Sequence, residues 1–324
     1  MFKTKSSGYF VGGILSLFVI GIVLYALDWN EVGRIFLELN WWWLACAFLA
    51  HMTNYALRTR RIVILLDLHN QPFHKVYGIA SLYGMYLYLL PAKSGEVTYP
   101  VLFKRNLNVS LTSGTAGLFV SRIFDFATIA LFLPVIIINY WGELVPWIRL
   151  SSILFSGLML GVIAGLLYLV QKPIVLNLPM RLKQGKGKII GPNGFFAKLE
   201  EQIMKFVTQL RVIDEKALYL QLFGLTVGIW LLIQLNFFLI ILSLGYLLTL
   251  FQIAVVSIIM VPITLLPIQG FANLGSHEIG WLTAFALFMM PGEIALQIAV
   301  SSHIILLFFV LLLGLIGYLL LKIQ

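Results

Sequence analysis

Long runs of apolar residues, separated by short polar segments, account for most of the chain. Six of these runs reach or approach the roughly 20 residues that a helix needs to cross the hydrocarbon core of a bilayer. They lie at about 9–27, 41–57, 110–139, 150–170, 217–244 and 294–321. The pattern predicts an all-α polytopic membrane protein with six full spans.

Two further apolar segments are interrupted near their middle. The segment at 76–103 is broken by PAKSGE at 91–96, and the segment at 250–290 is broken by PIQGFANLGSHE at 267–278. Proline removes a backbone donor and breaks a helix, and a charge at membrane depth is costly unless it is paired or faces a watery cavity. We therefore expect two broken, re-entrant hairpins.

The distribution of basic residues favours hairpins over full crossings. If 76–103 crossed the membrane, the basic segment 171–216 would lie outside the cell, against the positive-inside rule. With two hairpins, both termini and the segment 171–216 are cytoplasmic. Of the lysine and arginine residues, only Arg34 and Arg149 then lie outside the cell. We therefore predict a multi-pass protein of the cell (cytoplasmic) membrane.

Broken segments at matching places suggest an internal repeat. The two hairpins enter from opposite faces, as an inverted repeat requires, and such breaks point to a transporter's binding site. The prediction is one transmembrane domain over 1–324. Its halves are 1–170 and 217–324, joined by 171–216.

The overall composition supports this interpretation. The chain has 324 residues, of which 60% are hydrophobic and 11% charged, and its mean hydropathy is +0.97. No sizeable soluble domain is expected. The net charge of +9 is explained by cytoplasmic loops, so no nucleic-acid partner is predicted. The second part of 171–216 has apolar residues at helical spacing and predicts an amphipathic helix that binds anionic lipid surfaces.

The ionisable residues within the predicted membrane segments are the candidates for substrate binding and proton transfer. They are Lys93, Glu96, Arg122, Asp125 and Glu278, with His277 and His303 as further candidates. Arg122 and Asp125 are three residues apart and share a helix face, so they can pair. Lys93 and Arg122, with the N-terminus of a half-helix near Gly95, would hold a phosphate. Glu96 and Glu278 would take up and release a proton or compete with that phosphate. The alternative is that these residues form structural ion pairs.

The predicted substrate-binding set follows from these two breaks and the charged helix. It comprises Lys93, Ser94, Gly95, Glu96, Arg122, Asp125, Gly275, Ser276, His277 and Glu278. No metal-ligand spacing or nucleophile elbow occurs, so we expect no metal, no cofactor and no enzymatic activity. The single cysteine, Cys46, excludes an intrachain disulfide.

At these residues the chain resembles a known family, the transmembrane region of lysylphosphatidylglycerol synthases, also called the flippase-like domain family. The matching motifs are Arg58-Thr-Arg-Arg61, Leu90-Pro-Ala-Lys-Ser-Gly-Glu96, Lys104-Arg105, Ser121-Arg-Ile-Phe-Asp125, and Gly275-Ser-His-Glu278 after Pro267. Lys93 stands where arginine is usual. The full synthases carry a soluble aminoacyl-transfer domain, and we expect this chain to be a stand-alone member without synthase activity.

The leading hypothesis is a translocase that moves a phosphate-bearing lipid, such as a phospholipid or a polyprenyl-phosphate carrier, between leaflets. One alternative is an integral-membrane glycosyl or phosphoryl transferase acting on a lipid. The other is an accessory protein in lipid-linked glycan or envelope-lipid assembly, docked through 171–216.

Overall fold

A computed structural model describes residues 21, 28–91, 93–139, 142, 146–171, 216–265 and 269–323. Ten α-helices occupy this part of the chain. They are α1 (Trp29–Leu37), α2 (Trp41–Leu65), α3 (Phe73–Leu89), α4 (Thr98–Leu107), α5 (Leu111–Asn139), α6 (Pro146–Gln171), α7 (Lys216–Ser243), α8 (Leu250–Leu265), α9 (Ser276–Ala286) and α10 (Gly292–Leu320). The regular elements in the described residues are therefore all helices, as predicted.

Three of these helices are long and apolar enough to cross a membrane. They are α5, the part of α7 from Leu218, and α10. The pair α1 and α2 also qualifies when taken together, although the two helices meet at a bend of 87°. The count of six spans and the inverted repeat stay predictions. The predicted first span lies outside the described residues except for Gly21, and the segment 171–216 does so except for its end residues.

The helix α2 continues past the point where the sequence suggested that the second span ends. We expected an end near Leu57, followed by a cytoplasmic arginine group at 58–61. Instead the helix runs to Leu65, and Arg61 is buried. The arginines are thus helical residues, and the side chains of Arg58 and Arg61 have partners within the fold.

The chain divides into two compact units. The first contains residues 1–59, 71–99 and 228–324, and one of its core clusters is formed by α7 to α10 around Trp281 and Phe285. Within this unit, Asn54 donates from Nδ2 to the Ile229 carbonyl and Asn236 donates to the Ala47 carbonyl, each at 2.7 Å. These two hydrogen bonds tie α2 to α7.

In the same unit, α3 and α10 pack antiparallel with their backbones in close approach. A Cβ atom placed on Gly78 would lie 2.8 Å from the Gly317 carbonyl oxygen, and one on Gly317 would lie 2.7 Å from that of Gly78. Further along, Gly314 receives the side chain of Met85. Small residues at such crossings allow helices to approach closely in membranes.

The second unit contains residues 60–70 and 100–227. Among its described residues, Ile64, Leu65, Val120 and Leu222 form a buried core cluster. Helices α5 and α6 pack against each other there. Gly114 lies against Pro100, where a Cβ atom would be 2.9 Å from the proline Cα.

Candidate functional site

The first predicted break is present in the structure. Helix α3 ends at Leu89, and Leu90 has extended backbone (φ −80°, ψ 132°), as the residue before a proline favours. Lys93 is in the left-handed region (φ 60°), and a 3-10 turn at Ser94–Val97 leads into α4. Ser94 closes this turn with its Oγ, which donates to the Pro91 carbonyl at 2.6 Å.

The 3-10 turn at this break packs back against the last turns of α3, and the re-entrant hairpin stays a prediction. Gly95 lies so close to the last turns of α3 that a Cβ atom would be 2.5 Å from the Tyr86 carbonyl oxygen and from the Leu87 Cα. The rings of Tyr83 and Tyr99, on either side of the break, meet edge to face with centroids 5.0 Å apart. Glycine is therefore required at position 95 for steric reasons. Lys93 and Glu96 are both half-buried.

The second predicted break is also present. A 3-10 turn at Phe271–Asn273 precedes α9, and left-handed backbone occurs at Ala272 (φ 53°), Asn273 (φ 60°) and Gly275 (φ 83°). A left-handed conformation at a non-glycine residue costs of the order of 1–3 kcal/mol and persists where the surroundings hold it. Pro267 lies outside the described residues.

Glu278 and His303 hold this second break in place. Glu278 is the third residue of α9, and its Oε2 accepts a hydrogen bond from the Gly275 N–H at 2.7 Å. Its Oε1 lies 2.5 Å from Nδ1 of His303 on α10. The other ring nitrogen of His303, Nε2, lies 2.8 Å from the Ala272 carbonyl oxygen. Both side chains are buried, with relative exposures of 3% and 4%.

Aromatic and imidazole rings surround this pair. The rings of His277 and His303 have centroids 4.4 Å apart, and the Trp281 ring stacks on His277 at 5.4 Å. The Tyr88 ring, in the last turn of α3, lies edge-on to His303 at 5.9 Å. Within the described residues, Tyr88 Oη and His277 Nε2 are buried and have no hydrogen-bond partner.

A second charged cluster lies in the other unit. Arg61 on α2 donates from Nη1 to Oδ1 of Asp125 on α5 at 2.7 Å, and from Nη2 to Oδ2 at 3.5 Å. Nη1 also donates to Thr226 Oγ1 on α7 at 3.1 Å. Arg122 lies 3.8 Å from the same carboxylate, and its side chain is 32% exposed, against 5% for Arg61.

The structure thus groups the predicted residues into two sets. Tyr88, next to the first motif, meets His303 of the second, and α3 contacts the 3-10 turn of the second break. Arg122 and Asp125 belong to the other unit. In the described part of the chain, no three His, Cys, Asp or Glu side chains are grouped so that they could hold a metal ion.

Sequence reasoning missed the role of Arg61 and of Tyr88, and it gave His303 only as a further candidate. A signal for Arg61 was available. Asn54, Arg58 and Arg61 are spaced by four and three residues, so they share one helix face if α2 continues, and Arg58 does donate to Asn54 Oδ1 at 2.8 Å. Tyr88 carried no signal, because aromatic residues at such positions usually indicate packing.

Comparison with known proteins agrees with the motifs. No curated protein and no solved structure matches the chain. A family model described as Lysylphosphatidylglycerol synthase TM region matches residues 9–314. With nearly the whole chain covered, and with the two breaks and the buried charges in place, this multi-pass membrane protein belongs to the lysylphosphatidylglycerol synthase TM region family.

Proposed function

We propose that the protein is a translocase that moves a phosphate-bearing lipid between the leaflets of the membrane. Membership of the family indicates a membrane lipid-related function, and movement of the lipid is the finer proposal. The observation that carries it is the cluster of Arg61, Asp125 and Arg122. Ionisable side chains among apolar spans are rare and mark substrate or ion pathways.

The geometry of this cluster suits an anionic headgroup. Arg61 is buried and holds Asp125 at 2.7 Å, so it acts as the fixed partner of the carboxylate. Arg122 is more distant, at 3.8 Å, and a third of its side chain is exposed. The three groups carry a net charge of +1 when all are ionised. A guanidinium fork binds phosphate through two parallel hydrogen bonds, and Arg122 is the member that a headgroup can reach.

The two breaks support movement rather than static binding. Interrupted helices that carry charged residues at membrane depth are typical of transporters that alternate access to a central site. The half-buried Lys93 and Glu96 and the buried Glu278 lie at these breaks. They are the ionisable residues that we expect to respond to movement of the hairpins.

Lipid exchange in proteoliposomes tests the proposal. The purified protein is reconstituted with a labelled phospholipid, a short-chain polyprenyl phosphate, or a labelled glycolipid without phosphate, and exchange between leaflets is followed. We expect exchange of at least one phosphate-bearing lipid and none of the glycolipid. Arg122→Gln should slow exchange by about tenfold or more, because a hydrogen bond to a charged group is lost. Arg34→Gln, at an exposed arginine, is the matched control.

Absence of exchange for both phosphate-bearing lipids, from protein that is folded and monodisperse, would overturn the proposal. Product formed from a labelled lipid and a nucleotide-sugar would then indicate the transferase. Capture of a glycan-assembly enzyme that depends on the segment 171–216 would indicate the accessory protein.

A further inference from the structure

The contact between Glu278 and His303 contains one proton. His303 Nε2 faces the Ala272 carbonyl oxygen at 2.8 Å, and a carbonyl only accepts, so Nε2 carries a hydrogen. Nδ1 lies 2.5 Å from Glu278 Oε1, and a hydrogen bond there needs one proton between the two atoms. The pair is either imidazolium with carboxylate or imidazole with carboxylic acid, and both forms hold the same number of protons.

Loss of this proton would break the link between α9 and α10. A carboxylate oxygen would then face the lone pair of Nδ1 at 2.5 Å, with two acceptors and no hydrogen between them. Such a contact cannot persist in a buried site, where charge and lone-pair repulsion are poorly screened. The same displacement would remove the His303 hydrogen bond that holds the left-handed Ala272.

Gain of a second proton would weaken a contact. With Nδ1–H donating to Oε1, a protonated Glu278 would carry its hydrogen on Oε2. That oxygen accepts from the Gly275 N–H at 2.7 Å, and as a neutral hydroxyl it would be a weaker acceptor than a carboxylate oxygen, so the cap on the first turn of α9 would weaken. The state with a single shared proton keeps all three contacts of the pair.

We infer that Glu278 and His303 form a proton-binding site that fastens the second break to α10 while one proton is bound and releases it when the proton leaves. This inference deepens the proposed lipid movement and rests on it for its role in the cycle. The ligand is the proton, and binding or release would be tied to movement of the second hairpin. The lipid would then move with a proton gradient.

The other groups around the pair fit a site of this kind. Among the described residues, His277 from α9 and Tyr88 from α3 are titratable side chains whose rings contact His303. A second charge on His277, with its ring centroid 4.4 Å from that of His303, would be opposed by the first. Helix α8, which packs against α9, contains no ionisable residue. The surroundings therefore favour a single charge at this place.

Thiol labelling of the protein in detergent micelles tests the inference. Cys46 is replaced by serine and Ser276, which is 8% exposed, by cysteine, so that a maleimide reports on release of the break. Rates are measured between about pH 5 and pH 9, where histidine titrates. Each rate is divided by that of the same cysteine with Glu278→Gln, which cannot lose a proton. This ratio cancels the intrinsic pH dependence of the thiol.

We expect the ratio to be lowest at one pH and to rise about tenfold or more above it, because a hydrogen bond to a charged group is lost. His303→Gln should change this pH dependence, since one amide cannot hold both the Glu278 and the Ala272 contacts and the proton could then bind only to Glu278. Glu293→Gln, at an exposed glutamate on α10, should preserve it. A ratio that is flat with pH, or a His303→Gln profile equal to that of the parent, would overturn the inference.

Lipid exchange measured in parallel separates this inference from the proposed function. Labelling requires no lipid movement, so pH-dependent labelling in a protein that exchanges no lipid would support the proton site and refute the translocase. Exchange that is equally fast at every pH, with labelling that is flat, would support the translocase and refute the proton site. Exchange that depends on pH in the parent and loses this dependence with Glu278→Gln supports both.

Discussion

The ion pair between Arg61 and Asp125 allows a quantitative test of how the second unit is held together. Two substitutions, Asp125→Asn and Arg61→Met, test the two residues of the pair one at a time. The asparagine keeps the shape of the carboxylate but removes its charge, while Arg61 and Arg122 both remain. The methionine removes the buried guanidinium and leaves the carboxylate beside Arg122.

The two substitutions should lower the free energy of unfolding by different amounts. Removal of one partner from a buried ion pair costs about 3–5 kcal/mol, because the other charge stays buried and uncompensated. Asp125→Asn withdraws the carboxylate from two guanidinium groups, at 2.7 Å and 3.8 Å, and should lower the free energy of unfolding by that amount. Arg61→Met leaves Asp125 near Arg122 and should cost less, about 1–3 kcal/mol.

A double-mutant cycle in mixed micelles measures the coupling. Unfolding is induced with increasing denaturing detergent and followed by far-UV circular dichroism. The double variant should recover part of the loss, with a coupling toward the upper end of about 0.5–3 kcal/mol. The matched control is the exposed pair of Arg34 and Glu31, whose arginine side chain is 63% exposed. That pair should give about 0–1 kcal/mol.

Two results would refute this reasoning. One is a coupling for Arg61 and Asp125 that does not exceed the coupling for Arg34 and Glu31. The other is a larger loss for Arg61→Met than for Asp125→Asn, which would mean that Arg122 does not compensate the carboxylate. Either result would also weaken the case for Arg122 as the group that meets a headgroup phosphate.

Two further predictions concern helix packing. Gly317→Ala should lower the unfolding temperature in detergent, because the added Cβ would lie 2.7 Å from the Gly78 carbonyl oxygen. Gly224→Ala, where an added Cβ has nothing within 4 Å, should leave it unchanged, and equal effects of the two substitutions would contradict the close crossing. Asn236→Ala removes the side-chain amide that donates to the Ala47 carbonyl at 2.7 Å. It should lower the free energy of unfolding by about 0.6–2 kcal/mol, as for hydrogen bonds between membrane helices. An unchanged free energy in the same detergent titration would contradict that hydrogen bond.

The positions of the two breaks could be predicted from the sequence because their causes are local. Pro91 ends a helix through its own ring and the strain it places on Leu90. A cluster of glycines and charged residues within an apolar segment likewise indicates a break in the helix at that place. The structure accordingly places the end of α3 and the start of α9 next to these motifs.

The pairing of the buried charges could not be predicted in the same way. Arg122 and Asp125 were expected to pair because they share a helix face, and they do lie 3.8 Å apart. The closer partner, Arg61, is 64 positions away in the chain, and an arginine after an apolar run usually marks an interface with water. His303 likewise meets Glu278 across 25 positions. Contacts of this kind depend on how helices pack, which periodicity does not specify.

The close crossing of Gly78 and Gly317 has a mechanical consequence. Because the backbones of α3 and α10 are in close contact over several residues, we expect the two helices to move together. Tyr88 and the first break sit at one end of α3, and His303 lies opposite on α10. A movement of α3 that shifts the first break would therefore also move His303 on α10. That would change the contacts of His303 with Ala272 and Glu278 at the second break.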